Sequence, residues 1–287
     1  MQKLFLLTLG ISVFLMTGCA QKKDHLVTIK TPYGDMFAIL YDQTPKHKEN
    51  FIKLATEHYY DSLLFHRVIE GFMIQGGDPD SRNATKGARL GNGGPGYTIP
   101  AEFNSKLFHG KGALSAARLG DAMNPEKASS GSQFYIVQGT KQDESQLKMD
   151  REKFNRALQQ FFQRPENHAY RDSINSFIES RDEEGFNGYL DKLKPVVEAQ
   201  LGISVDKEIT PEAVQVYTTE GGTPLLDGQY TVFGKVIKGL EVIDKIAAAP
   251  KDANDRPIED VSMEITVEEM PRRKIEKQFG YTYPDIP

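Results

Sequence analysis

Punctuation constrains this chain more than any other feature. Short apolar, β-branched or aromatic runs recur between glycine-rich turns: Leu63 to Val68, Met73 to Gly76, Tyr97 to Ile99, Ala113 to Ala117, Gln133 to Gln138, Thr231 to Val236 and Val261 to Val267. Each is too short for an ordinary helix, and the glycines between them permit tight reversals. Val27 to Leu40 holds two extended runs around Tyr33-Gly34-Asp35, which reads as a β-hairpin. Only two segments of this texture ask for helices. One opens at Thr44-Pro45, with Thr44 as N-cap, Pro45 at the first helical position and Phe51, Leu54 and Ala55 as its apolar face. The other runs from Leu240 to Ala247. Many short strands with few helices predict a mainly β domain closed into an antiparallel barrel.

Between residues 141 and 219 the texture changes. Phe154, Ala157, Leu158, Phe161 and Phe162 recur at helical spacing, as do Tyr170, Ile174, Phe177 and Ile178, and then Phe186, Tyr189, Leu190 and Leu193. Pro165 and Pro195 are expected to interrupt or restart these helices. Thr210-Pro211 opens another, ended near Gly221-Gly222. So much apolar periodicity is not a linker; it predicts an all-helical insertion. The barrel is expected over 26–140 and 220–270, with 271–287 as a C-terminal extension.

The first residues read as an export signal. Lys3 precedes a nearly unbroken apolar run from Leu4 to Met16, about the length of a signal-peptide core and too short for a relaxed membrane span. Met16-Thr17-Gly18-Cys19 resembles a bacterial lipobox, which implies a signal over 1–18 and a lipid on Cys19, the only cysteine. A single cysteine excludes an intramolecular disulfide. Residues 19–25 read as a tether, and membrane attachment is expected through the lipid alone. Ala20 is not the aspartate that retains lipoproteins in the inner membrane of enteric bacteria. A lipid-anchored place in a bacterial envelope is therefore expected, at the outer membrane facing the periplasm where there are two membranes. The net charge of −5 comes without a basic stripe, so no nucleic-acid partner is expected.

The most informative stretch is Phe65-His66-Arg67-Val68-Ile69-Glu70-Gly71-Phe72-Met73-Ile74-Gln75-Gly76-Gly77-Asp78. It sets one cation among large apolar groups and ends in glutamine and paired glycines. Gly112 to Arg118, Gly131 to Ile136, and Leu225 to Gly234 follow in order. Together they resemble the cyclophilin-type peptidyl-prolyl cis-trans isomerases, over about Val27 to Gly139 and Gly221 to Val267. The resemblance implies a closed eight-stranded barrel with two capping helices. It also implies an enzyme for proline-containing polypeptides that needs neither cofactor nor metal. Carried over position by position, Arg67 matches the catalytic arginine. Gln75 and Gln133 match the glutamines that orient the arginine and the substrate backbone. Phe72, Met73, Tyr135 and Leu226 match the proline cup, and Ala117 and Arg118 the segment lining the substrate backbone. Tyr230 stands where many members have histidine, and Leu225 where many eukaryotic members have tryptophan.

That chemistry is intelligible without the family. Rotation about a peptide bond costs about 18–20 kcal/mol because the nitrogen lone pair is delocalised. In the twisted state the proline nitrogen regains its lone pair, and a fixed donor aimed at it bonds only there. A dry apolar cup must hold the ring meanwhile. An arginine beside Phe72 and Met73 meets both needs. The competing reading is a proline-segment-binding chaperone module with little catalytic role; it gives no reason to keep arginine, glutamines and cup together. Other motifs fail. Gly91 to Gly96 looks like a phosphate loop but leads into an extended run, and Asp78 and Asp80 have Pro79 between them and no closing glutamate for calcium.

Overall fold

The computed structural model of the protein describes residues 22–283. Cys19 and the apolar run before it lie outside the described residues. Strand β1 (Lys23–Thr31) and β2 (Gly34–Leu40) form the expected hairpin, with Leu26 opposite Ile39 and Thr31 opposite Gly34. Helix α1 (Pro45–Thr56) begins where Pro45 predicts, but the Thr44 hydroxyl does not cap it. It donates instead to the Tyr41 carbonyl at 3.4 Å. The first amides, on Lys46 and His47, are taken by the Glu102 carboxylate at 3.1 and 3.0 Å. A distant carboxylate at the positive end of the helix outcompetes the local hydroxyl.

The strands that follow are β3 (Leu63–Leu64), β4 (Arg67–Ile69), β5 (Met73–Gly76), β6 (Thr98–Ile99), β7 (Ala113–Ala116), β8 (Ser129–Ser130) and β9 (Phe134–Val137). Then come helices α2 (Glu144–Lys148), α3 (Arg151–Phe162), α4 (His168–Ser180), α5 (Glu183–Leu201) and α6 (Pro211–Thr219). The chain closes with β10 (Val232–Lys238), α7 (Leu240–Ala247), β11 (Ser262–Pro271) and α8 (Arg272–Phe279). Nine strands form one antiparallel sheet in the order β3-β11-β1-β2-β10-β7-β9-β5-β4. The expected closed eight-stranded barrel is therefore a curled sheet with an open seam. The run read as one strand, Leu63 to Val68, breaks at Phe65-His66, and its halves become the two end strands. One half pairs with β11 and the other with β5. The amides near the break find other partners: Leu64 N–H donates to Ser81 Oγ at 3.0 Å, and Val68 N–H to the Asp255 carbonyl at 2.8 Å. With those groups satisfied, nothing requires a continuous ladder.

Inside the curl Phe51, Tyr60, Phe65, Phe134 and Phe233 pack with Ile29, Leu114 and Ile136. Phe51 meets Phe134 edge-on at 5.5 Å and 80°. The two expected capping helices close the core with Phe51, Leu54 and Ala55 of α1 and Val242, Ile243 and Ile246 of α7. Strand β11 runs one residue past the expected barrel boundary, and Ile275 of α8 packs on Leu26, Ile39 and Met270 at the outer face.

The helices between β9 and β10 form two layers. Leu147 of α2 and Ala213 and Tyr217 of α6 pack with Phe108 against the strand connections. Helices α3, α4 and α5 have a separate core, including Phe154, Phe161, Ile174, Leu193 and Val197. This outer unit is joined through a narrow neck: Asp150 N–H donates to the Val205 carbonyl and Lys207 N–H to the Lys148 carbonyl, each at 2.8 Å. Pro165 does separate α3 from α4, as expected. Pro195 does not interrupt; it sits inside α5. The lost backbone bond and ring clash cost about 3 kcal/mol, offset by burying Leu190, Leu193 and Val197 along one face. Where the insertion leaves and rejoins, Gly222 bridges both Thr140 and Gly110. Its φ of +149° and a position where a Cβ would lie 2.3 Å from the His109 carbonyl oxygen make glycine necessary there.

Candidate active site

Strand register builds the site. Arg67 lies opposite Gln75, Gln75 opposite Tyr135, and Tyr135 opposite Ser115. Alternate residues of a strand face opposite sides. Val68, Ile74, Ile136 and Leu114 therefore fill the core, while Arg67, Gln75 and Tyr135 form one row on the outer face, with Met73 and Val137 in the next.

A chain of polar groups runs along the row. Arg67 Nη1 donates to Gln75 Oε1 at 3.4 Å, Gln75 Nε2 to Gln133 Oε1 at 3.1 Å, and Gln133 Nε2 to the Gly93 carbonyl at 2.8 Å. The loop holding Gly93 is pinned by buried Asp78, whose carboxylate accepts from the amides of Gly91 and Asp80. The glycine loop and Asp78, which fit neither phosphate nor calcium, thus serve to fix a carbonyl for the glutamine pair. Arg67 Nε is 4.0 Å from Asp255 Oδ2, and the arginine side chain remains 42% exposed. The guanidinium is aimed along one edge and keeps donors for an incoming group.

Beside it lies an apolar cup. Met73, Leu107, Tyr135 and Val232 are its buried floor, and Phe72, Ala117, Leu226 and Tyr230 its partly exposed rim. The Tyr230 ring meets Tyr135 edge-on at 5.9 Å and 82°, and the Arg118 guanidinium stacks over Tyr230 at 4.4 Å. Arg118 was expected to line the substrate backbone. Its side chain donates to the Gln229 and Leu119 carbonyls at 2.8 and 2.9 Å and pairs with Asp121 at 2.6 Å, and with Ala117 it lines a groove shared with Gln75 and Gln133. Ala117 contributes its methyl, while its amide donates to the Gln133 carbonyl and its carbonyl accepts from Ser130 N–H. Leu225 is 69% exposed on a short 3-10 turn with Pro224 and Leu226. It lines a separate groove of about 470 Å³, opposite Leu147, Met149 and Arg151.

The site thus offers a directed cation beside an apolar seat. Comparison with known proteins settles the family. The model of the cyclophilin type peptidyl-prolyl cis-trans isomerase/CLD family matches residues 26–154 and 150–267. A Staphylococcus haemolyticus protein named "Putative peptidyl-prolyl cis-trans isomerase" is 31% identical over 85% of this chain and 91% of its own length. The chain belongs to the cyclophilin family. A Streptococcus pyogenes protein named "Putative bifunctional phosphatase/peptidyl-prolyl cis-trans isomerase" is 33% identical over 83% of this chain, which spans 37% of that longer protein. The crystal structure of a Cryptosporidium parvum cyclophilin type peptidyl-prolyl cis-trans isomerase aligns at 22% identity and a TM-score of 0.49, over 86% of this chain and 98% of that one.

The roles of four side chains of this cyclophilin were not legible in advance. Asp255 reaches Arg67 from a turn far along the chain. His109 and Asp227 stand behind Tyr135, and Tyr217 joins them from the insertion. Asp227 lies within a motif that the resemblance covers; nothing in the spacing linked it to His109 or Tyr217.

His66, next to Arg67, is buried, and burial pushes its pKa from 6.5 down to about 4, outweighing the charge of Asp78. The sign follows directly. The unfolded chain takes up a proton near pH 6.5 and the folded one near 4, so the stability is fully present above 6.5 and is lost as pH falls towards 4. Unfolding by urea should show about 2 kcal/mol of lost stability between pH 7 and 5. His66→Gln should flatten that slope; an unchanged slope in the variant would assign the loss to other groups.

Proposed function

We propose that this cyclophilin rotates Xaa-Pro bonds in exported or envelope polypeptides and so assists their folding, with Arg67 as the donor that selects the twisted amide. The observation that supports it most is the half-exposed Arg67 guanidinium, tethered to Gln75 and set beside the Phe72–Met73–Tyr135–Leu226 cup. In this reading the proline ring sits on Met73 and Tyr135 while the preceding carbonyl swings. Arg67 donates to the proline nitrogen as its lone pair localises, an interaction absent from the planar ground state. Gln75 and Gln133 hold the cation in line, and Tyr230, braced by Arg118, closes one side of the seat. The reading is tested by exchange spectroscopy on an Ala-Xaa-Pro-Phe peptide with the soluble chain from residue 22. Acceleration of cis-trans exchange is expected; exchange at the uncatalysed rate would reduce the cup to a binding site.

The envelope assignment rests on the lipobox-like Met16-Thr17-Gly18-Cys19. Among the described residues no helix is long and apolar enough to cross a membrane. A lipid on Cys19, with Ala20 after it, would hold the protein at the outer membrane facing the periplasm in a cell with two membranes. Cys19→Ser should move the protein from the membrane pellet to the soluble fraction. Retention of the serine variant after a high-salt wash would point to a different anchor.

A client-holding role has its own support in the groove between Leu225 and the base of the helical insertion. It opens beside the cup, where a polypeptide would continue past its proline. In this reading it adds to catalysis rather than replacing it.

A further inference from the structure

Behind the cup wall lies a buried hydrogen-bond chain. The Tyr135 hydroxyl is 3.0 Å from His109 Nε2, His109 Nδ1 is 2.8 Å from Asp227 Oδ1, and the Tyr217 hydroxyl is 2.5 Å from Asp227 Oδ2. His109 N–H also donates to Asp227 Oδ1 at 3.0 Å and to the Tyr217 hydroxyl oxygen at 3.1 Å. His109 and Tyr217 are wholly buried, and Tyr135 is nearly so.

A carboxylate only accepts, so Nδ1 of His109 carries a hydrogen and the Tyr217 hydroxyl donates to Asp227, while Nε2 of His109 is left to pair with the Tyr135 hydroxyl. Burial pushes both tyrosine pKa values far up, and the Asp227 charge adds to the shift at Tyr217, so both keep their protons. A phenylalanine would serve as well as Tyr135 for a purely apolar wall. The hydroxyl instead commits the ring to one depth and rotation, against which Tyr230 packs edge-on. The last member, Tyr217, belongs to inserted helix α6, packed there by Leu147, Ala213 and Phe108.

We propose that Tyr217 is a positioning residue for the isomerisation site, setting the Tyr135 wall of the cup through Asp227 and His109. This rests on the cup being the proline seat. The inner layer of the insertion is then part of the active-site support, and the wall depends on a helix that the sequence places outside the barrel.

The test uses Tyr217→Phe, Tyr135→Phe and the double variant in the full soluble chain, with peptide exchange measured at temperatures where each is folded. Each single variant should lower kcat/KM on the short peptide about fivefold, the scale of one lost neutral hydrogen bond. The loss should fall on KM, since the wall holds the ring alike in planar and twisted states. The double variant should be no worse than either single one, because both cut one chain. Tyr217→Phe with unchanged kcat/KM, or two losses that multiply, would overturn the proposal and leave the chain as a staple of the insertion. Should Tyr217→Phe not fold, Asp227→Asn breaks the next link and is read in the same way. A wild-type protein without activity would overturn the reading of the site itself, and this proposal with it.

Discussion

Arg67→Ala should cut isomerase activity on a short Xaa-Pro peptide by about a hundredfold or more, with the fold intact. The size comes from removing one charged hydrogen bond made only in the transition state, about 3–4 kcal/mol. The fold should survive because the guanidinium is no part of the core: its contacts are Gln75 at 3.4 Å and Asp255 at 4.0 Å, both at partly exposed positions. Gln75 keeps Gln133 as a partner when the arginine is gone, so no buried polar group is orphaned. The loss should appear in kcat with KM little changed, opposite to the split expected for the cup-wall variants. Peptide exchange by spectroscopy, with circular dichroism to check the fold, measures both. Exchange in the alanine variant at the wild-type rate would rule out the donor mechanism.

Excising the outer helical unit should separate peptide turnover from work on unfolded protein. The neck defines the cut. Met149 and Asp206 are bridged, so 150–205 can be replaced by a short Gly-Ser turn without pulling on α2 or α6. A deletion that also took α2 would strip Leu147 from Tyr217 and disturb the cup from behind. With the cut at the neck, tetrapeptide turnover should stay within about twofold of wild type. A proline-limited refolding protein should lose about tenfold, because the groove beside Leu225 loses Asp150, Arg151 and Glu152, and with them a second attachment for the chain. Parallel assays on the two substrates decide it. Equal activity of the cut protein on both would leave α3 to α5 with no client role.

Much of this was legible in the residues. Short strands between glycines predicted a mainly β domain, and the 3.6-residue period between 141 and 219 predicted the helices. Arg67, Gln75, Met73 and Tyr135 were singled out only through the family resemblance, position by position, and the strand register sets Arg67, Gln75 and Tyr135 in one row. The order of the motifs carried the family.

What the residues could not show was which separated segments meet. Leu63 to Val68 reads as one strand, and only the partners that the curl supplies, Ser81 and Asp255, split it and leave the seam open. Thr44 reads as a cap, yet Glu102 arrives from elsewhere and displaces it. Arg118 reads as part of the substrate-lining segment, and nothing near it in sequence shows that Gln229 and Tyr230 brace its side chain. Pro195 reads as a break until burial on both sides of it offsets the cost. The Tyr135–His109–Asp227–Tyr217 chain joins four segments that no periodicity relates. Local sequence determined element type and facing, because these depend on neighbours a few residues apart. The tertiary structure alone decided the seam, the two layers of the insertion and the support behind the cup, because a hydrogen-bond partner is selected by position in space.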